Sequence, residues 1–310
     1  MTDLITSRAV DPRFRPGGRS WPQLWSFLLA RGGASKTTTC TSMAVTLALR
    51  GYKITVLDLD QQCNASAVLG WHPDLLAPNQ PTILDFILGE ASFEEVRVQA
   101  RYRTFVGERR EDDEYFDIPN LFVLPASGLL TNADTLLSET KYAHRFNWFK
   151  DFLRDEYEGD DDMLFLDNPA NYGKLVGTAN MMLDENDEVI PSCLASSKAV
   201  EGIPALFKEL ELLRETYGKT KSIPARPTVK RIPLIGVQKG KNKEADNREA
   251  VEVMERDYGH LVKPWPYVGY SAVAKRMWSQ QAPLPLLAKQ APATEDYRKL
   301  ATAWGFEDLT

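Results

Sequence analysis

The sequence predicts a doubly wound α/β fold, in which a mostly parallel twisted sheet carries helices on both faces. Three observations predict it. Short apolar runs of strand length alternate with longer helical patterns along most of the chain. One strand-to-helix turn is glycine-rich and basic, running Ala30-Arg31-Gly32-Gly33-Ala34-Ser35-Lys36-Thr37-Thr38. Acids stand where two other apolar runs end, at Asp58, Asp60 and Asp167.

The elements follow in order. Residues 1–20 mix Arg, Pro and Gly without apolar period and are expected to be a flexible arm ahead of a single domain, 21–310. Leu24–Ala30 is an apolar run suited to a strand buried on both faces. Thr37–Arg50 then reads as a helix closed by Gly51. Ile54–Leu59 is a second buried strand and Thr82–Leu88 a short helix, while polar 99–118 reads as a surface loop. Strands are expected at Leu121–Pro125 and Met163–Leu166, separated by a long helical stretch around Asn132–Tyr157. A strand at Glu188–Pro191, a helix at Val200–Tyr217, a strand at Ile232–Val237 and helices at Glu244–Tyr258 and Ser271–Ser279 complete the pattern. Alternation at this spacing implies parallel pairing through crossovers.

Composition narrows the class. With 43% hydrophobic and 26% charged residues, the chain has the make-up of an ordinary globular protein. No run approaches a membrane-spanning length, and the first residues lack the apolar core of a secretory signal. Cys40, Cys63 and Cys193 are too few and scattered for a disulfide framework or a zinc site. The formal charge of −6 is unevenly spread: residues 198–310 hold 19 Lys/Arg against 14 Asp/Glu, leaving 1–197 with 18 against 29. Residues 216–243 carry eight Lys/Arg and no acid, which marks a solvated face or a patch for a polyanion.

The glycine-rich turn is where chemistry is expected. A strand–turn–helix aims backbone N–H groups and the positive end of a helix dipole at one point, which is what a phosphate needs. Gly32 and Gly33 let the backbone curl around the anion, with Ala34, Ser35 and Thr38 completing the cradle. Lys36 would supply a mobile charge to the β- and γ-phosphates of a nucleotide, and Thr37 a hydroxyl to Mg²⁺. The strict phosphate-loop pattern fails at two places, since Ala30 and Ser35 stand where it requires glycine. Asp58 and Asp60 stand two residues apart where a strand ends, and one of them is expected to face the phosphates directly.

These segments resemble the ParA/MinD family of ATPases with a deviant Walker A motif. The turn resembles that family's K-G-G-x-G-K-[ST]-T, with Arg31 in place of the signature lysine. The segment Asp58-Leu59-Asp60-Gln61-Gln62-Cys63-Asn64-Ala65-Ser66 looks like its D-x-D-P-Q-G-N-A-[ST] switch, and Leu164–Ala170 like its Walker B strand. Asp187–Pro191 and Ala199–Leu213 extend the likeness, which covers roughly residues 24–285. The resemblance implies a P-loop NTPase fold with ATP and Mg²⁺ as cofactors. It implies Asp60, Arg31 and Lys36 as catalytic candidates. Arg31, the glycines and Pro266 would contact nucleotide, and Thr37, Asp58 and Asp167 would serve the metal. Arg31 would reach across an ATP-bound homodimer.

Within the family the resemblance favours a ParA-like partition protein, a cytoplasmic, nucleoid-associated ATPase. It would bind DNA without sequence preference and respond to a ParB-like centromere-binding partner. Lys230, Arg231, Lys275 and Arg276 are the candidate DNA contacts. A MinD-like membrane role would need a basic amphipathic terminus, and Glu295, Asp296, Glu307 and Asp308 oppose one. An iron–sulfur reductase of the nitrogenase-iron-protein type would need two cysteines at a dimer axis, and Cys40 and Cys63 are not so placed. A binding-only switch without turnover stands as the other alternative, given Arg31 and Ser35.

Overall fold

The computed structural model of the chain describes residues 22–30, 35–77, 79–103, 105–106, 109–110, 114–217, 226–238 and 244–309. The expected arm, Arg31 to Ala34, and Lys219, Lys221, Lys239, Lys241 and Lys243 lie outside those residues.

Strands β1 (Gln23–Phe27), β2 (Ile54–Asp58), β3 (Val98–Tyr102), β4 (Phe105–Val106), β5 (Arg109–Arg110), β6 (Phe116–Leu124), β7 (Met163–Asp167), β8 (Glu188–Ile190), β9 (Cys193–Leu194), β10 (Leu234–Val237) and β11 (Val268–Gly269) form the sheets. A six-stranded sheet runs β3-β6-β2-β7-β1-β8, a three-stranded one runs β11-β10-β9, and β4 and β5 pair as a hairpin. Every pairing in the two larger sheets is parallel except β3 with β6. The principal helices are α1 (Lys36–Ala48), α2 (Asn64–Val68), α3 (Ile83–Leu88), α4 (Lys174–Asn180), α5 (Gly202–Tyr217), α6 (Ala245–Asp257), α7 (Ala272–Gln280) and α8 (Pro292–Ala303). The doubly wound α/β fold is what the alternation predicts.

The central strands are apolar on both sides because both sides are covered. Along β1, Leu24 and Leu28 face a core built with Ile83, Phe86, Trp148 and Leu206, while Trp25 and Phe27 face a second core with Met43, Leu47, Tyr297 and Trp304. β7 divides likewise, with Leu164 and Leu166 on the first side and Met163 and Phe165 on the second. In the second core the Trp25 and Phe165 rings stack 5.1 Å apart, and Trp304 meets Trp25 edge-on at 5.3 Å. Each pairing of this kind adds to what area burial alone supplies.

Two expectations change, and a segment left unassigned in the sequence is ordered in the core. The polar stretch 99–118 is largely not a loop: β3 lies antiparallel against β6 at the sheet edge, with Gln99 paired to Phe122. An edge strand with one neighbour tolerates polar side chains, so its alternation lacks the apolar signature of the central strands. The helical stretch 132–157 breaks into short turns, among them Thr140–Asn147 and Trp148–Asp151. The C-terminal segment, α8 and the residues just after it, packs into the core, where Leu300, Trp304 and Phe306 are fully buried. No helix among the described residues is long and apolar enough to cross a membrane.

Candidate nucleotide site

Parallel strands end together, and the site sits at those ends. β2 and β7 pair in register through Asp58 and Asp167, and Asp167 is also level with Phe27 of β1. α1 begins at Lys36, nine residues beyond the end of β1, so its first turn lies over the same strand ends. Topology therefore gathers Lys36, Thr37, Asp58, Asp60 and Asp167 from three segments.

The side chains hold opposing charges with little solvent. Lys36 is 7% exposed and donates through Nζ to the Leu29 carbonyl at 3.0 Å. Burial pulls its ammonium pKa down, opposed by the charges of Asp167 and Asp60. Asp167 is fully buried, and among the described residues neither of its carboxylate oxygens has a hydrogen-bond partner of regular geometry, the Thr37 hydroxyl being the nearest donor. Burial drives its pKa well up and the Asp58 charge adds to that, while the nearby Thr37 hydroxyl and Lys36 favour the ionised form. A buried carboxylate with no regular partner is costly unless something else satisfies it. Asp167 and Thr37 therefore fit a bound Mg²⁺. Among the described residues no cluster of three or more His, Cys, Asp or Glu makes a metal cage. Mg²⁺ characteristically completes its shell with phosphates and water, so a cage is not required.

The two acids of the β2 switch have different surroundings. Asp58 is fully buried and its oxygens are taken: one accepts from the Ser66 amide at 2.8 Å and hydroxyl at 2.7 Å, the other from the Asp60 amide at 3.2 Å. Asp58, expected to be metal-linked, ties α2 to β2 through these bonds. Burial raises its pKa to about 7, against the Ser66 hydrogen bonds. The Ser66 hydroxyl also accepts from the Ala126 amide at 2.8 Å, which extends the tie to the loop after β6. Asp60 is half-buried and, among the described residues, its carboxylate accepts from the Gln62 amide alone, at 3.0 Å through one oxygen.

Two positions in this site lie in left-handed backbone. Ser35 has φ 65° and Cys63 has φ 54°, each directly preceding a helix, α1 and α2 respectively. The strict phosphate-loop pattern wants glycine at the first, and the switch pattern has glycine at the second. The backbone has kept the glycine conformation while the side chain has changed.

Beside the phosphate turn opens a cleft of about 480 Å³, in the size range of small-molecule sites. Thr38 borders it on the phosphate side. Leu194 and Ile235 supply apolar wall, and Gln238, Tyr270 and Trp278 stand among the residues around it. The last three were missed in the sequence, though Gln238 and Tyr270 directly follow the C-termini of β10 and β11, where α/β ligands bind, while Trp278 lies within α7. Pro266 precedes β11, and the cleft is bordered by Val268 to Ser271.

The four expected DNA contacts do not form one patch. Arg231 is buried, with two nitrogens on the fully buried Glu188 carboxylate at 2.7–2.8 Å and its guanidinium 4.7 Å from the Trp304 ring. It is corrected to a core ion pair, because releasing it would strand Glu188. Lys230 is exposed before β10, while Lys275 is exposed on the cleft rim after β11 and Arg276 beside it is half-buried. The two strands are parallel, so Lys230 stands at the opposite end of the sheet from Lys275 and Arg276.

Known proteins agree with this geometry. Residues 24–223 match the AAA domain family AAA_31. The cell division protein PomZ of Myxococcus xanthus is 27% identical over 61% of this chain, which spans about half the length of PomZ. A ParA family protein of Mycoplasma genitalium is 31% identical over 66% of this chain and 71% of its own. Among solved structures, an ATP complex of Cyanothece McdA superposes over 94% of this chain and 100% of its own, with a TM-score of 0.69 at 18% identity. Cobyrinic acid a,c-diamide synthase from Mycobacterium smegmatis, with bound ATP analog and magnesium, superposes over 91% of this chain and 93% of its own, at 0.66 and 19%. The two solved structures share the fold of this chain. This chain belongs to the AAA domain family AAA_31 and is a P-loop ATPase of the ParA/MinD type.

Proposed function

We propose that this chain binds ATP with Mg²⁺ and hydrolyses it slowly as a ParA-like partition ATPase. The observation that carries the reading is the fully buried Asp167 carboxylate, without a hydrogen bond of regular geometry among the described residues, beside Lys36 and Thr37 at the start of α1. In this reading Lys36 leaves the Leu29 carbonyl for the β- and γ-phosphates, and the cleft beside Thr38 takes the nucleoside. Thr37 and Asp167 hold the metal, Asp167 through a water. Bound Mg²⁺ offsets phosphate charge and polarises the transferred group. Asp60, whose carboxylate accepts from Gln62 through one oxygen, orients the attacking water. Arg31 keeps the charge of the signature lysine and serves an ATP-bound homodimer across its face. DNA held through phosphate contacts and a ParB-like partner complete the reading, supported by the ParA and Soj relatives. The left-handed Ser35 favours a second reading, a nucleotide switch without turnover.

The test is Lys36→Ala, read with a fluorescent ATP analogue and Mg²⁺. Binding by the wild type and its loss in the variant are expected. Equal affinity in the two would reject the site.

A further inference from the structure

Ser35 sits at φ 65°, ψ 18° with no side-chain cap of its own, so something else must hold it there. Its carbonyl accepts the first helical bond, from the Thr39 amide at 2.9 Å, and a second bond from the Ser192 hydroxyl at 3.2 Å. Ser192 lies between β8 and β9, more than 150 residues downstream, and is fully buried. Its oxygen lies 2.5 Å from Thr39 Oγ1, which in turn lies 3.2 Å from the Tyr297 hydroxyl of α8.

The direction of this chain follows from proton counting. A hydroxyl has one proton, and Ser192 spends its own on the Ser35 carbonyl, which can only accept. Thr39 must therefore donate to Ser192, and Tyr297 to Thr39. The result is a one-way relay of donors, Tyr297 to Thr39 to Ser192 to the Ser35 carbonyl. Thr39, Ser192 and Tyr297 are all buried, so each bond is shielded from water and reinforces the next.

We infer that Ser192 is a positioning residue for the phosphate turn, holding Ser35 in the conformation that glycine would adopt unaided, with Tyr297 of the C-terminal helix as the relay's distal support. The inference rests on the ATP-binding reading above. It makes the affinity of the turn depend on residues that reach it only through the fold. A left-handed serine costs about 1–2 kcal/mol, equivalent to roughly five- to thirtyfold in an equilibrium constant. If the relay carries most of that, its removal shows as weaker nucleotide binding.

The experiment measures the fluorescent ATP analogue with Mg²⁺ on the full chain, alongside melting curves. Ser192→Ala is expected to weaken binding about tenfold. Adding Ser35→Gly to that variant is expected to restore affinity to within about twofold, because glycine takes the conformation without the tether. A general packing defect at Ser192 would not be repaired by a glycine at another site. Unchanged affinity in Ser192→Ala, or a loss that Ser35→Gly leaves in place, overturns the inference. Should Ser192→Ala fail to fold, Tyr297→Phe carries the test, with a smaller loss that Ser35→Gly again reverses; the absence of either overturns it. A wild type that binds no nucleotide, or binds it equally well with Lys36→Ala, rejects the ATP reading itself, which separates the two failures.

Discussion

Ser35 and Cys63 pose the same problem at single-residue scale and have different remedies. Each holds a left-handed backbone, at a cost of about 1–2 kcal/mol for an L-residue. Glycine removes that cost but loses about 0.5–1 kcal/mol to the entropy of a freer unfolded chain. Ser35 is half-exposed, so Ser35→Gly in the wild type should gain roughly 0.5–1 kcal/mol and raise the melting temperature by about 1–3 °C. Cys63 is 2% exposed and packs in the first core, so Cys63→Gly gives back its strain relief as lost burial and should leave the melting point nearly level. A melting point lowered by Ser35→Gly would mean that the serine side chain does something the backbone geometry does not reveal. Asp60 is the second single-residue case. A group that orients water acts mainly in the transition state, so Asp60→Ala should keep nucleotide affinity within about threefold while turnover falls by at least a hundredfold. Loss of binding in a folded Asp60→Ala protein would assign the residue to the ground state instead.

At the scale of elements, the C-terminal helix matters most. α8 places Tyr297 in the relay, and just beyond it Trp304 packs edge-on against Trp25 and lies over the buried Arg231–Glu188 pair. The apolar residues that a membrane-binding terminus would present are committed to this core. Trp304→Ala should cost about 3–5 kcal/mol, read by urea unfolding, and a loss under about 1 kcal/mol would show that the helix is only loosely docked. This helix was the least legible part of the fold. Glu295 and Asp296 on it, and Glu307 and Asp308 beyond its end, read only as acids that oppose a membrane-binding terminus. The edge strand β3 was hidden for a related reason, since polar alternation in VQARY reads as a loop without its partner β6. The β1–α1 and β2 units were legible because both faces of each strand are buried, which leaves an unbroken apolar run. The site divides in the same way. Lys36, Thr37, Asp60 and Asp167 are local to recognisable segments, whereas Ser192, Tyr297 and Gln238 come from distant segments and carry no motif. Arg231 shows the opposite failure, a charge run read as surface although one member faces inward to Glu188.

At the scale of the whole molecule, DNA binding must overcome a chain that is −6 overall. Binding then depends on where the positive charge stands and on whether copies add together. The described cations that are candidates for DNA contact fall into two groups. Arg226, partly offset by Glu185 at 3.6 Å, and Lys230 stand at the N-terminal end of β10, and Lys275 with Arg276 stand by the nucleotide cleft. Phosphate contacts need charge and no base readout, so either group can serve, and a dimer formed on ATP doubles whichever does. The cleft-side pair has a second neighbour, the nucleotide, so its removal mixes two effects. The cleaner variant is the double change Arg226→Glu and Lys230→Glu, which leaves the cleft and the buried Arg231 intact. With ATP and Mg²⁺ the wild type should retain DNA of unrelated sequence at low salt, lose it steeply as salt rises, and retain little with ADP. The double variant should lose at least about tenfold in DNA affinity while its affinity for the ATP analogue is unchanged, because each neutralised phosphate releases counterions and four charges are reversed in a dimer. Full retention in that variant would move the DNA contacts to Lys275 and Arg276. Equal retention with ATP, ADP or no nucleotide would remove the switch on which a partition role depends.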